Sequence, residues 1–349
     1  MANRSEQPKA PVNVAVSGLM HSTGRGDVPQ MITAILLGLV GVLLFAGTLP
    51  ATSLALQHYD AWFLTAARAV IAGLLAMATL VWLRRPLPPR PLMLQIIIIG
   101  VLVSWLFPGL TALGMERVSA AHGGVVLGIL PLITAAIASI INGDRQRALF
   151  WGCALLASVI VGGFAMIDGA DTASLQPAGS AENENLWQVN SGDLMLLAAC
   201  CCTAFGYNMS ARLARQMNGA EVIAWALVLT LPGALAGCWL FRQPTAVLTT
   251  GLIEPLATPM LPPAVDWVPT AGLLYVGICS MFLGYGFWNE ALYRGGVARI
   301  SQLQYLQPFF TLGIAAVVTG DKVSPLMLGV AISVTLLVAL AMRAARHNR

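Results

Sequence analysis

Ser301, Gln304, Tyr305, Pro308 and Thr311 follow the i, i+3, i+4, i+7 spacing that places side chains on one face of a helix, with Gln307 on its edge. They belong to the stretch SQLQYLQP and its continuation, in a chain otherwise rich in apolar residues. Amide, phenol and hydroxyl groups in an apolar helix are costly to leave facing lipid, so this stripe should face a bundle interior or a water-filled cavity. Pro308 removes the helical donor to the Gln304 carbonyl and favours a kink there. Two roles are open: hydrogen bonding to a solute, or hydrogen bonding between helices as structural glue. The alignment of the polar groups with the kink favours the solute.

Weaker stripes accompany it. Gly124, Leu127, Gly128, Pro131 and Thr134 share a face of small residues, with His122 on the opposite side near the outer surface. Histidine titrates near neutrality, but an interfacial structural role is the stronger expectation for His122. Tyr275, Phe282, Tyr285, Asn289 and Tyr293 align, as do Thr203, Gly206, Tyr207 and Ser210, and Trp105, Pro108, Gly109 and Ala112. Each alone would be ordinary packing; together they predict a cavity of rings, amides and hydroxyls. The expected solute contacts are Gln304, Tyr305, Ser301, Thr311, Tyr285, Asn289, Tyr207 and Trp105, with Pro131, Pro308 and Pro108 as kinks.

Three titratable groups are weighed apart. Arg68 stands eight residues after Asp60, roughly 12 Å down a helix at about 1.5 Å per residue. A guanidinium at that depth needs acceptors, either carbonyls at a broken helix or the carboxylate of a solute. Glu290 precedes Arg294 by four residues, the spacing of a surface pair, with proton coupling as the other role. His122 is the third. Asp60 and Ser324-Pro325 read as helix starts.

Long apolar helices must carry these residues. Of 349 residues, 57% are hydrophobic and 10% charged, with 34 glycines and 20 prolines, and the mean hydropathy is +0.77. Soluble domains carry about 25% charged residues. Ten apolar runs have the length of membrane helices: 31–49, 61–83, 92–113, 120–141, 148–167, 194–214, 220–241, 268–292, 297–319 and 325–342. Strict alternation is absent, which argues against a β-barrel. All six cysteines fall within the runs, with neither disulfide nor zinc spacing. Residues 1–30 read as a disordered cytoplasmic tail rather than a signal peptide, 168–193 as an acidic external linker, and 343–349 as a cytoplasmic tail. With the N-terminus inside, the inner segments hold 15 of the 19 basic residues, and the outer loops hold only Arg117, Arg242 and Lys322. That bias sets both termini in the cytoplasm. The formal charge of +4 is accounted for by this topology and does not point to nucleic acid.

A shift of 177 residues superposes Pro131 on Pro308, Thr134 on Thr311, and Gly143-Asp144 on Gly320-Asp321, with nine of 24 positions identical without a gap. Five spans per half is an odd number, so the halves enter the membrane in opposite directions. The expected fold is all-α integral membrane: ten helices as two inverted five-helix repeats, 31–167 and 194–342, around a central cavity. With its early Arg68 in the second span and a proline in spans four and nine followed by a Gly-acid pair, the chain resembles the EamA-type transporters of the drug/metabolite transporter superfamily. It departs in having Gly-Asp where that family usually has Gly-Glu. The resemblance spans residues 31–342 and implies a cavity lined mainly by spans one, three, four, six, eight and nine. It also implies metabolite export, proton coupling in some relatives, and a structural role for Arg68.

The expected activity is secondary active export of small neutral or zwitterionic metabolites such as amino acids, by alternating access across the plasma (cell inner) membrane. Protons are a candidate coupling ion and a homodimer a candidate assembly. No cofactor or metal is called for. Phosphorylated solutes are disfavoured because no Lys/Arg cluster accompanies Arg68. The alternatives are a passive channel and, more weakly, an intramembrane enzyme. For the enzyme the chain offers neither H-E-x-x-H nor G-x-S-x-G.

Overall fold

The computed structural model describes residues 27–142, 148–173, 191–213, 216–217, 219–241, 267–295 and 300–346. The expected N-terminal tail up to residue 26, the centre of the linker (174–190) and the Gly143-Asp144 pair lie outside the described residues. Every regular element among them is helical, as apolar chain must be where no water can satisfy its backbone. In chain order these are α1 (Asp27–Ala46), α2 (Thr48–Leu56), α3 (Ala61–Trp82), α4 (Arg90–Gly100), α5 (Phe107–Met115), α6 (Ala120–Leu127) and α7 (Leu130–Asn142). There follow α8 (Ala148–Ala173), α9 (Ser191–Leu213), α10 (Gly219–Phe241), α11 (Trp267–Leu274), α12 (Tyr285–Gly295), α13 (Gln307–Val318) and α14 (Pro325–Arg346). π-Helical segments join α4 to α5 (Val101–Leu106) and α11 to α12 (Tyr275–Gly284), and a 3₁₀ segment, Ser301–Leu306, leads into α13.

Among the described residues six stretches are long and apolar enough to cross a bilayer: Met31–Leu56, Ala61–Trp82, Arg90–Met115, Ala120–Ile141, Ala220–Phe241 and Trp267–Ala291. Ala148–Phe164, Leu303–Val318 and Pro325–Ala341 are shorter apolar helices. The first stretch runs to Leu56, beyond the sequence-based limit at 49. Its helix breaks at Gly47 and restarts, which puts Pro50 in the first turn of α2, where a missing N–H costs nothing. The linker is also shorter than expected. Asp168 and Asp171 lie in the last turns of α8, and Asp193 in the first turn of α9.

Helix starts follow their capping residues. Asp60 Oδ1 accepts from the N–H groups of Trp62 (2.8 Å) and Phe63 (3.3 Å) at the head of α3. Ser324 Oγ accepts from Met327 N at 3.1 Å at the head of α14. Helix α6 has two caps: Ser119 Oγ accepts from His122 N, and Asp321 Oδ2, 200 residues away, accepts from Ala121 N at 2.9 Å. The acid of the second Gly-Asp pair therefore caps a helix of the first half, and Gly320 beside it turns the chain at φ +72°.

Packing is pairwise and long-range. Helix α3 lies along α10, α8 along α14, and α6 along α13, while α12 packs on α1 and α5 on α9. The π segment Tyr275–Gly284 lies on α3, and α4 on α10. One core gathers Val125, Phe150, Phe164, Leu312, Val330 and Val334. Another gathers Ala69, Ala72, Ile99, Leu227, Met281 and Tyr285. Leu36, Val81, Val317 and Leu336 are among the large apolar side chains left exposed, a surface suited to lipid.

At the α6–α13 crossing a Cβ added to Gly124 would stand 2.6 Å from Thr311 Cγ2. Gly124→Ala should cost about 1–3 kcal/mol, read as a lower unfolding midpoint in detergent. Adding Thr311→Ser removes that methyl and keeps the hydroxyl, so the double variant should recover most of the loss. A double variant no more stable than Gly124→Ala would show that the contact does not limit the crossing.

Candidate functional site

The larger of the described cavities, about 420 Å³, lies between α1, α3, α10 and the Met281–Arg294 stretch. Ala76 and Thr79 form its α3 wall, and Ile223, Ala224 and Leu227 its α10 wall. Met281, Phe282, Tyr285, Asn289, Glu290 and Arg294 form the fourth side. The lining is mostly apolar, and apart from Thr79 its polar side chains lie along α12. Asn289 Nδ2 donates to the Tyr285 carbonyl at 2.8 Å. Glu290 Oε1 and Arg294 Nε pair at 2.6 Å, about two-fifths exposed. The resemblance implied walls from spans one, three, four, six, eight and nine; spans one, two, seven and eight line this cavity.

Tyr285 closes one end. Its hydroxyl stands 3.3 Å from that of Tyr207 on α9. Ala69 and Ala72 beside Arg68 on α3 share a core with Tyr285, and Arg68 itself is only 5% exposed. Its Nε has no hydrogen-bond partner. Among the described residues the ion pairs are Arg85–Glu221, His122–Asp193 and Arg294–Glu290, so no carboxylate holds Arg68.

The span-nine stripe lies elsewhere. Gln304, Gln307, Pro308 and Thr311 meet Gly124, Leu127, Gly128 and Pro131 around a cleft of only about 30 Å³, close to the volume one water needs. The two aligned prolines, Pro131 and Pro308, thus face each other across it. The Gln304 carbonyl, expected to be freed by Pro308, is not free. The chain tightens into the 3₁₀ segment, and Gln307 N–H donates to that carbonyl. Thr311 is buried, and its Oγ1 donates to Ala46 O at 3.2 Å. Ala46 is four residues before Pro50, which has no N–H to offer it. Tyr305 packs against the α6–α8–α14 core. The side chain of Ser301 lies outside the described ones.

Trp105, on the π segment ahead of Pro108, packs on α10, where a Cβ on Gly237 would approach its ring to 2.7 Å. Pro108 opens α5 in the first turn, and Phe107 N reaches back to Leu102 O across the widened π turn. His122 is buried. Its Nε2 lies 2.7 Å from Asp193 Oδ1, with the two side chains 3% and 2% exposed, and its ring packs on Phe164 with centroids 4.7 Å apart. Asp193 Oδ2 is buried without a partner.

The structure therefore brings together Tyr207, Tyr285, Asn289 and Glu290, with Arg68 behind them, and separately Gln304, Thr311, Pro131 and Pro308. It does not merge the two sets with Trp105 or Tyr305. Sequence reasoning missed the pairing of Asp193, which it reads as the end of an acidic external linker, and Pro50, whose place just after an apolar run marks the break. It also missed the Thr48–Ser280 contact at 2.7 Å and the Asn208 Nδ2 bond to Thr134 O at 3.2 Å. Ordinary polar residues in apolar runs were the available signal for these.

A bundle of apolar helices with broken spans, a cavity and a buried cation defines a multi-pass membrane protein built to handle small solutes. Its family is shown directly. The pattern of the EamA-like transporter family matches residues 32–167 and again 190–343, and the chain belongs to that family. It is 36% identical to the uncharacterized transporter YdeK of Bacillus subtilis over 309 residues, covering 88% of this chain and 96% of that one. A chloroplastic WAT1-related protein of Arabidopsis thaliana is 26% identical over 71% of this chain and 55% of its own length. An S-adenosylmethionine/S-adenosylhomocysteine transporter of Chlamydia trachomatis is 24% identical over 58% of this chain and 60% of its own. One crystal structure shares the fold with a TM-score of 0.56 at 20% identity, covering 90% of this chain and 98% of that one.

Removing one partner of a buried pair costs more than removing an exposed one. Asp193→Ala should lower stability by about 3–5 kcal/mol, whereas Glu290→Gln should change it by about 1 kcal/mol or less. Fluorescence-detected unfolding in detergent compares them. Equal midpoints for the two variants would mean that the His122–Asp193 contact does not tie α6 to α9.

Proposed function

We propose that the protein is a secondary active exporter of small neutral or zwitterionic metabolites, amino-acid-like in size, working by alternating access. In this mechanism residues 31–167 and 194–342 are two five-helix halves of opposite orientation that rock about the solute, with both termini in the cytoplasm of a bacterial-type inner membrane. The observation that carries it is a packing pattern that survives exchange of the halves. Taken span by span, the contact of span one with span eight (α1–α12) has its counterpart in that of span six with span three (α9–α5), and that of span two with span eight (α3 with Tyr275–Gly284) in that of span seven with span three (α10–α4), while the span pairs two–seven (α3–α10), four–nine (α6–α13) and five–ten (α8–α14) each map onto themselves. The two π segments occupy corresponding places, as do the breaks before Pro131 and Pro308. Such pseudo-symmetry lets one set of contacts be exchanged for its mirror set at little cost, which is what alternating access requires.

The two matched stretches of the family pattern, 32–167 and 190–343, support the duplication. The basic inner loops support the orientation. The Chlamydia trachomatis relative named for S-adenosylmethionine supports an amino-acid-like solute. The solute enters the 420 Å³ cavity past Glu290–Arg294, contacts Asn289 and Tyr285, and passes the cleft at Gln304 as the halves rock. Protons are the proposed coupling ion.

Counterflow in proteoliposomes tests this. Vesicles preloaded with an unlabelled amino acid or nucleoside-linked amino acid should take up the labelled solute transiently above equilibrium, and an imposed pH gradient should raise its accumulation. Asn289→Ala and Gln304→Ala should each slow exchange by about tenfold, the equivalent of about 1.4 kcal/mol. Simple equilibration without overshoot would mark a passive pore. Normal exchange by Gln304→Ala would confine that glutamine to helix packing.

A further inference from the structure

We propose that Arg68 is the anchor for a solute carboxylate, and that the Tyr207–Tyr285 pair stands between this anchor and the cavity. The inference rests on the transporter function proposed above and narrows its substrate to carboxylates with an apolar body.

Arg68 is 5% exposed on a helix whose other described polar groups have partners or reach the surface. Its Nε is enclosed without an acceptor. Among the described residues no carboxylate pairs with the guanidinium and no hydrogen bond satisfies it. A structural arginine at this depth would be expected to hold a carboxylate or the carbonyls of a broken helix, because an uncompensated buried charge is expensive. Here the five donors of a planar fork are held ready for an acceptor that the described protein does not supply. Carboxylate matches that fork in two parallel bonds.

Position connects the anchor to the cavity. Arg68, Ala72, Ala76 and Thr79 succeed one another at i, i+4, i+8 and i+11 on a single face of α3. Ala76 and Thr79 line the cavity, so Arg68 stands roughly 12 Å further along the same face at about 1.5 Å per residue. On the facing segment Asn289 and Tyr285 line the same cavity, and Tyr285 packs in one core with Ala69 and Ala72, the neighbours of Arg68 on α3. The 3.3 Å Tyr207–Tyr285 contact is long for two hydroxyls, and such a contact is easily exchanged for a hydrogen bond to an incoming anion. The rest of the lining, Ile223, Leu227, Met281 and Phe282, offers the solute body an apolar surface. A phosphate would need a second cation, and the other arginine at this cavity, Arg294, is already paired with Glu290.

Binding, measured apart from transport, tests the anchor. Purified full-length protein in detergent would be titrated by calorimetry with 3-phenylpropanoate and L-phenylalanine, and with the matching amides, 3-phenylpropanamide and L-phenylalaninamide. Wild type should bind a carboxylate at least tenfold more tightly than its amide. Arg68→Gln should abolish that preference, Arg68→Lys should keep part of it, and Tyr285→Phe should weaken the carboxylate threefold or more without affecting the amide. Should Arg68→Gln fail to fold, the wild-type preference together with Tyr285→Phe still decides. Equal binding of carboxylate and amide by wild type, no binding of either carboxylate, or an unchanged preference in Arg68→Gln would each overturn the anchor. Counterflow by wild type with any of those outcomes would leave the transporter function standing; loss of counterflow itself would remove that function instead.

Discussion

A backbone carbonyl that loses its helical donor inside a bilayer must find another, because no water is at hand to replace it. The described helices are organised around that constraint. Pro50 leaves Ala46 O without a donor, and Thr311 supplies one from more than 260 residues away. Pro308 would orphan the Gln304 carbonyl, and a local 3₁₀ turn recovers it through Gln307 N–H. Ahead of Pro108 the helix widens into a π turn. Each break is accommodated at the place where one helix crosses another, so the positions that bend are also the positions that make contact between distant parts of the chain.

This coupling separates the polar residues that hold the bundle from those that border open space. Thr311 looked from its spacing like a solute contact, yet its hydroxyl is committed to Ala46. Gln304 and Pro308 sit at a cleft with room for about one water. By contrast Tyr285, Asn289 and Glu290 border open space. Arg68 differs from all of these in being enclosed and without an acceptor for its Nε.

Much of the helical architecture was legible, because lipid solubility demands long uncharged runs and the aligned Pro131 and Pro308 mark the same break in two places. Capping was legible at Asp60 and Ser324, whose partners are two or three residues away. The limits were set by distance along the chain. Nothing local to His122 or Asp193 says that they meet across 71 residues at 2.7 Å, and the polar, acidic composition of 168–193 puts Asp193 in an external linker. Periodicity likewise gives the face of a helix but not its neighbour. The Trp105 stripe therefore read as cavity wall, although the ring rests on the glycines of α10. The Gln304 carbonyl was misjudged for a different reason: periodicity assumes an α-helix, and a 3₁₀ turn changes which carbonyls are spare.

The carboxylate of Asp321 that accepts from Ala121 N-H has a consequence for descent. If the halves arose by duplication, each ancestral copy could have capped its own twin in a two-chain assembly; once fused, the cap became an obligation between unequal partners. An acid of the second half now fixes where a helix of the first half begins, so neither half is free to drift alone. A half swapped in from a cousin would leave α6 with the Ser119 cap alone unless it restored an acceptor at this position, a loss of about 1 kcal/mol.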